Sequence, residues 1–174
     1  MTNYCVFNVG ERRVGLAMTH VREIIEPHQI VPTPIPLTPA FVHGLFNLRG
    51  QVLPYLDLSP FVGAEEKPAT ATGRETRAVV VERGNLRFAT PGQRIDTIEA
   101  DPATFQPLAG AALHPALDAE ARTEYGSFQV LHLDRLEACL SQSLKQTETP
   151  NPKPGARNLE LETRNLEPAT AHRR

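Results

Sequence analysis

The chain has 174 residues, 40% of them apolar, and 18 basic against 20 acidic side chains give a formal net charge of −2. That content can fill the core of one domain or of two small lobes sharing a core. It lacks the basic footprint needed to hold a nucleic-acid backbone or an anionic membrane surface, so neither is an expected partner. The opening residues MTNYCVFNVG have no basic region followed by a long apolar run, and no stretch approaches the roughly 20 apolar residues of a membrane span. A cytoplasmic protein without membrane insertion is expected. Cys5 and Cys139 stand alone, which predicts two reduced structural thiols and no zinc site.

In chain order, Val6, Phe7, Val9, Val14 and Leu16 flank the polar break Gly10-Glu11-Arg12-Arg13. This predicts a β-hairpin with both arginines solvated at its tip. Val21, Ile24 and Ile25 fall at i, i+3, i+4, which predicts a short helix ended by Pro27. Pro27, Pro32, Pro34, Pro36 and Pro39 then force an extended strap, because each fixes φ and turns its predecessor away from helix. Thr38 before Pro39 reads as the cap of one helical turn reaching His43 and stopping at Gly44. Asn47 and Gly50 bracket Leu48-Arg49 as a tight reversal. The following VLPYLDL reads as a strand in which Pro54 implies an edge or a bulge. Residues 64–76 read as a polar loop.

The second half begins at Arg77 and overlays the first at an offset of 74 residues, matching Phe7 with Val81, Gly10 with Gly84, Val14 with Phe88, Val21 with Ile95 and Ile24 with Ile98. Leu56-Asp57 is matched with Leu133-Asp134. A repeat of about 75 residues is too short to bury much core by itself, so two lobes packed together are expected. Asp134, with Glu137 three residues on, reads as a helix cap, followed by an apolar face of Leu136, Cys139, Leu140 and Leu144. From Gln146 to Arg174 the chain is rich in Pro, Asn, Glu and Arg and reads as a disordered tail, in which RNLE occurs at Arg157 to Glu160 and again at Arg164 to Glu167.

Catalytic templates are missing. The six histidines show no metal-ligand spacing, and there is no nucleophile elbow, phosphate-cradling loop or dinucleotide fingerprint, so no cofactor is expected. Asp57 and Asp134, one carboxylate from each lobe, could share a proton as a hydrolytic pair. Neither lies in an Asp-Thr-Gly or Asp-Ser-Gly turn, and capping or turn formation is the simpler account of both. Aromatic residues make up 6% of the chain and Trp is absent, which leaves no stacking platform for single-stranded nucleic acid.

The segment FNLRGQVLPYLDLSPFVG, Phe46 to Gly63, resembles the signature of the CheW-like chemotaxis coupling proteins. Upstream, HVREI at His20 to Ile24 and TPAFVHGLFNLRG resemble the approach to that signature, and LHLDRLEACL resembles the closing strand and helix. The resemblance covers about residues 4–145. It implies a mainly β fold of two pseudo-repeated, intertwined five-stranded SH3-like barrels with short helices and a C-terminal helix. Lobe 1 would span about 15–76 and lobe 2 about 77–134, each with exchanged segments.

It also implies no enzymatic activity. The partners it implies are the cytoplasmic tip of methyl-accepting chemoreceptors and the regulatory domain of a histidine kinase. By resemblance Val21, Glu23, Ile24, Leu48 and Arg49 contribute to the receptor-facing groove, while Gly44, Asn47 and Gly50 shape the turn that presents Arg49. No kinase-binding residues are assigned. On the residues alone, Val21 and Ile24 serve a core equally well, and Glu23 serves a solvated surface equally well. One departure from the family pattern is Thr90-Pro91-Gly92-Gln93, where Pro91 and Gly92 should disrupt a regular strand. That departure motivates an alternative in which the chain binds only one signalling partner, as a decoy or scaffold. The aspartate-dependent hydrolase is the competitor from another class.

Overall fold

The computed structural model describes residues 1–65, 76–110 and 113–147. The expected first hairpin is present as β1 (Thr2–Val9) and β2 (Arg12–Ala17), and its repeat as β6 (Arg77–Arg83) and β7 (Leu86–Ala100). The two turns are built alike: Gly10 and Gly84 take φ of 59° and 58°, a left-handed conformation that a Cβ would penalise. Between them lie β3 (Val21–Ile25), β4 (Val42–Leu48), β5 (Gln51–Leu56) and α1 (Ser59–Val62). After them come β8 (Gln106–Pro107), β9 (Leu117–Thr123), β10 (Gly126–Leu131) and α2 (Leu133–Thr147).

The strands form two five-stranded barrel sheets. The first runs β3, β6, β7, β5, β4, and the second runs β7, β1, β2, β10, β9, with short β8 added beside β9. The hairpins are exchanged. β1–β2 precedes the first barrel in sequence but pairs with the second, where β2 meets β10 in parallel at Val14–Gln129 and Gly15–Val130. β6–β7 in turn completes the first barrel, where β7 meets β5 in parallel at Ala89–Tyr55. One apolar cluster therefore draws on both sheets and both helices, with Phe7, Val14, Leu16, Leu58, Val79, Val81, Phe88, Leu117 and Leu136 among its buried members. Smaller clusters fill the first barrel around Tyr55 and Phe46 and the second around Val6 and Phe128.

Several expectations are corrected. Residues 21–25 are a strand and not a helix; a single 3-10 turn, Met18–His20, precedes them, and Ile25 points into the first barrel. Thr38 caps no helix: its hydroxyl donates to the Ile35 carbonyl, and the chain passes through turns into β4. Pro91 and Gly92 do not break β7. Pro91 sits opposite Ala78, and β7 changes partner from β6 to β1 just beyond Gly92, with the irregularity taken up by a register shift at Val6/Asn8 and by Arg94 at φ 48°. β5 lies inside its sheet, but its parallel ladder to β7 is one pair long and leaves out Pro54.

The closing segments of the two repeats superpose at an offset of 74 to 75 residues, by strand ends at Leu56 and Leu131 and helix starts at Ser59 and Leu133. Pairing Leu56-Asp57 with Leu133-Asp134 is thus two to three residues out of step. In α2, Leu136 and Leu140 are buried and Cys139 packs against the same cluster, but Leu144 is 47% exposed. Asp134 lies inside the first turn and not at its cap. The helix carries through Gln146 and Thr147, and the remainder of the expected tail, with both RNLE segments, lies outside the described residues, as does 66–75 of the polar loop.

Candidate functional site

The β4–β5 reversal is built from local turn chemistry. Arg49 and Gly50 both take positive φ, 50° and 85°, which is the two-residue hairpin turn whose twist suits the flanking strands. Asn47 supports it by accepting the Gly50 N–H on Oδ1 at 2.7 Å. Arg49 occupies a position that usually favours Gly or Asn, so its side chain is thrown clear of the sheet and is 80% exposed.

Its guanidinium reaches Glu23 on β3, with Nη2 to Oε2 at 3.1 Å. Glu23 is the better covered partner, 22% exposed. β3 and the β4–β5 hairpin lie at opposite ends of the first sheet, so this ion pair spans the gap that hydrogen-bonded strands leave open. The strand pair just behind the turn is anchored separately, at Gln51. Arg87 on β7 donates to Gln51 Oε1 at 2.7 Å and to Glu82 at 2.7 Å, and Glu82 in turn accepts from Arg22 on β3 at 2.6 Å. Hydrogen bonds from Arg87 and then Arg22 hold the Glu82 carboxyl below its ordinary range.

The remaining candidates divide. Ile24 is 39% exposed on the edge strand β3 beside Glu23. Val21 is half-buried against the shared core, and Leu48 packs on the first-barrel cluster. Both therefore have packing roles. Gly44 (φ 139°) acts at a distance from the turn: a Cβ there would lie 2.4 Å from the Thr33 carbonyl oxygen, and only its absence lets the proline strap pair with β4 through Thr33 and Leu45. Sequence reading did not reach Val52, 63% exposed on β5 opposite Asn47, although its alternation with buried Leu53 would have shown it.

Asp57 and Asp134 are not brought together. Asp57 is buried, accepts from the Ser59 N–H and hydroxyl on one oxygen, and places the other 4.0 Å from His43. Asp134 is exposed and paired with Arg83. Arg12 and Arg13, expected to be solvated, are both engaged. Arg12 binds the Gly63 carbonyl and His114, and Arg13 donates to the Tyr125 carbonyl and faces Asp96.

Comparison with known proteins accords with this architecture. The family model described as CheW-like domain matches residues 3–139. Protein FrzA of Myxococcus xanthus is 37% identical over 79 residues, covering 45% of this chain and 46% of that protein. The chemotaxis protein CheW of Helicobacter pylori is 33% identical over 103 residues, covering 55% and 59%. The matched stretches thus span about half the length of these relatives. A crystal structure of the scaffolding protein TtCheW from Thermoanaerobacter tengcongensis superposes with a TM-score of 0.65 at 23% identity, over 76% of this chain and 90% of that one. At that identity the likeness speaks for the fold.

Proposed function

The chain belongs to the CheW-like domain family, and from that premise we propose that it is a non-enzymatic adaptor coupling chemoreceptors to a histidine kinase in a chemotaxis or surface-motility pathway. The observation that carries the reading is Arg49. An exposed guanidinium is held in a left-handed turn, steered by Glu23, beside an edge strand that presents Ile24. A receptor helix carrying one carboxylate is met by the planar fork of Arg49, and Ile24, the next residue after Glu23 and so on the other side of the edge strand, offers a separate apolar contact. No helix among the described residues is long and apolar enough to cross a membrane. The location that goes with the adaptor reading is the cytoplasmic face of receptor arrays, reached through partners whose modest contacts gain from multivalency.

The single-partner alternative rested on a disrupted second-lobe strand, and β7 passes through Pro91 and Gly92 unbroken. The hydrolytic alternative needs two carboxylates in one place, and each has its own separate partners.

The test is an NMR titration of the labelled chain with a receptor hairpin-tip fragment, following the amides from Val21 to Ile24 and from Leu48 to Gly50. Shifts should cluster there, and Arg49→Glu should weaken binding by at least about 1 kcal/mol, the expected cost of reversing an interfacial charge. Equal affinity in a folded Arg49→Glu variant would remove the groove from the reading. Adding the kinase regulatory domain to the receptor-bound adaptor asks the second question: a ternary complex supports coupling, and mutual exclusion refutes it.

A further inference from the structure

Away from the Arg49 face, three separate segments meet at one half-buried contact. Arg12, at the start of β2 in the exchanged hairpin, donates from Nε to the Gly63 carbonyl at 3.2 Å and places Nη2 at 3.2 Å from His114 Nε2. Gly63 ends α1 at φ 67°, and the imidazole is packed directly against it: a Cβ on Gly63 would sit 2.1 Å from His114 Cε1. The same junction is tied by backbone, since the Ala116 N–H donates to the Phe61 carbonyl and the Ala64 N–H to the Ser59 carbonyl. The hairpin turn presses on the same corner, with a Cβ on Gly10 falling 3.3 Å from Ala64 Cβ.

The chemistry of this contact is one-sided. A guanidinium has five N–H donors and no acceptor, so Nη2 and Nε2 form a hydrogen bond only when Nε2 carries a lone pair. His114 must then be neutral with its proton on Nδ1. Adding a proton sets N–H against N–H and one cation against another. The acidic side chains that border this corner are Glu11, next to Arg12 in the hairpin turn, and Glu65, two residues beyond Gly63 with its carbonyl beside Gly10, and among the described residues neither is paired with Arg12 or His114. Gly63 offers the ring only backbone, its chain neighbours Leu113 and Pro115 carry no charge, and among the described residues neither Arg12 nor His114 forms an ion pair with a carboxylate.

We infer that Arg12, His114 and Gly63 form a pH-sensitive latch that fastens the exchanged β1–β2 hairpin to the α1 corner and the segment before β9, closed when His114 is neutral and released when it is protonated. The closed state binds one proton fewer than the open one. By linkage, acid therefore opens the latch and alkali closes it. The inference does not depend on the receptor-coupling reading, because it concerns the joint between the barrels and not the Arg49 face.

The full-length chain tests it by NMR without any partner. Ring nitrogen shifts of His114 at neutral or higher pH should report the Nδ1–H tautomer. Amide-exchange protection of Ala64 and Ala116, corrected for intrinsic rates, should fall several-fold as His114 itself titrates. His114→Gln offers a carbonyl acceptor that does not ionise, so its protection should stay flat across the same range. Arg12→Lys keeps the charge but loses the fork to Gly63, and its protection should be low throughout. An Nε2–H tautomer in the wild-type protein, or unchanged protection of both amides while His114 takes up its proton, would overturn the latch; the tautomer measurement needs no variant to fold.

Discussion

Tyr55 shows how a single side chain can carry a pH response. It is 1% exposed, its hydroxyl has no hydrogen-bond partner among the described residues, and burial followed by the neighbouring Asp57 carboxylate pushes its pKa up to about 12. The folded state keeps this proton where the unfolded chain, titrating at the ordinary 10.0, releases it. The contribution to stability is thus fully present below pH 10 and is lost as pH rises to about 12, amounting to about 2 to 3 kcal/mol at 1.36 kcal/mol per unit. Urea unfolding at rising alkaline pH should show a steeper loss for the wild type than for Tyr55→Phe. That variant removes an unsatisfied hydroxyl and should be neutral or stabilising near pH 7. Parallel pH dependences would show that Tyr55 titrates normally. Nothing in the sequence separates Tyr55 from Tyr125, which is 66% exposed, because burial is a property of the folded barrel. Asn47, Arg49 and Gly50 were legible because a turn is decided within four residues, whereas the pairing of Arg49 with Glu23 depends on how the two ends of a sheet meet.

The same divide between local and distant causes governs the elements. The hairpins were readable from their glycines and alternation, but a run of five residues such as VREII supports either period, and β3 became a strand because β6 was available beside it. α1 escaped notice because four residues leave no periodicity to detect. The proline strap was legible as an extended path, yet the strand that holds it was not. Thr33 exchanges hydrogen bonds with Leu45 at 2.7 and 3.0 Å, which brings the strap onto the backbone of Gly44. Gly44→Ala would combine a disfavoured positive φ with a clash against the Thr33 carbonyl, an atom that cannot move without breaking the bridge. The expected loss is about 2 kcal/mol or more by denaturant titration, with faster amide exchange at Thr33 and Leu45. If the variant were as stable as wild type, the strap would have to be free to lift from β4.

At the scale of the whole molecule, the exchange of hairpins makes each barrel depend on the other half of the chain. The 74-residue offset was visible in the sequence because both hairpins share spacing and turn glycines, but no local pattern states which barrel a hairpin will join. Phe7 makes the consequence measurable. It belongs to β1 of the second sheet, is fully buried, and shares a cluster with Leu58 and Phe61 at the α1 corner and with Val79, Val81 and Phe88 of the first sheet. If the barrels were independent, Phe7→Ala would loosen only the second sheet. Because the cluster is common to both, the substitution should lower the stability of the whole by about 3 to 5 kcal/mol, in a single cooperative transition. Native-state hydrogen exchange provides the check: the slowest amides of β6 and of β10, one set in each sheet, should lose the same protection. A drop confined to β2 and β10 would mean that the two barrels unfold separately and that the shared cluster does not couple them.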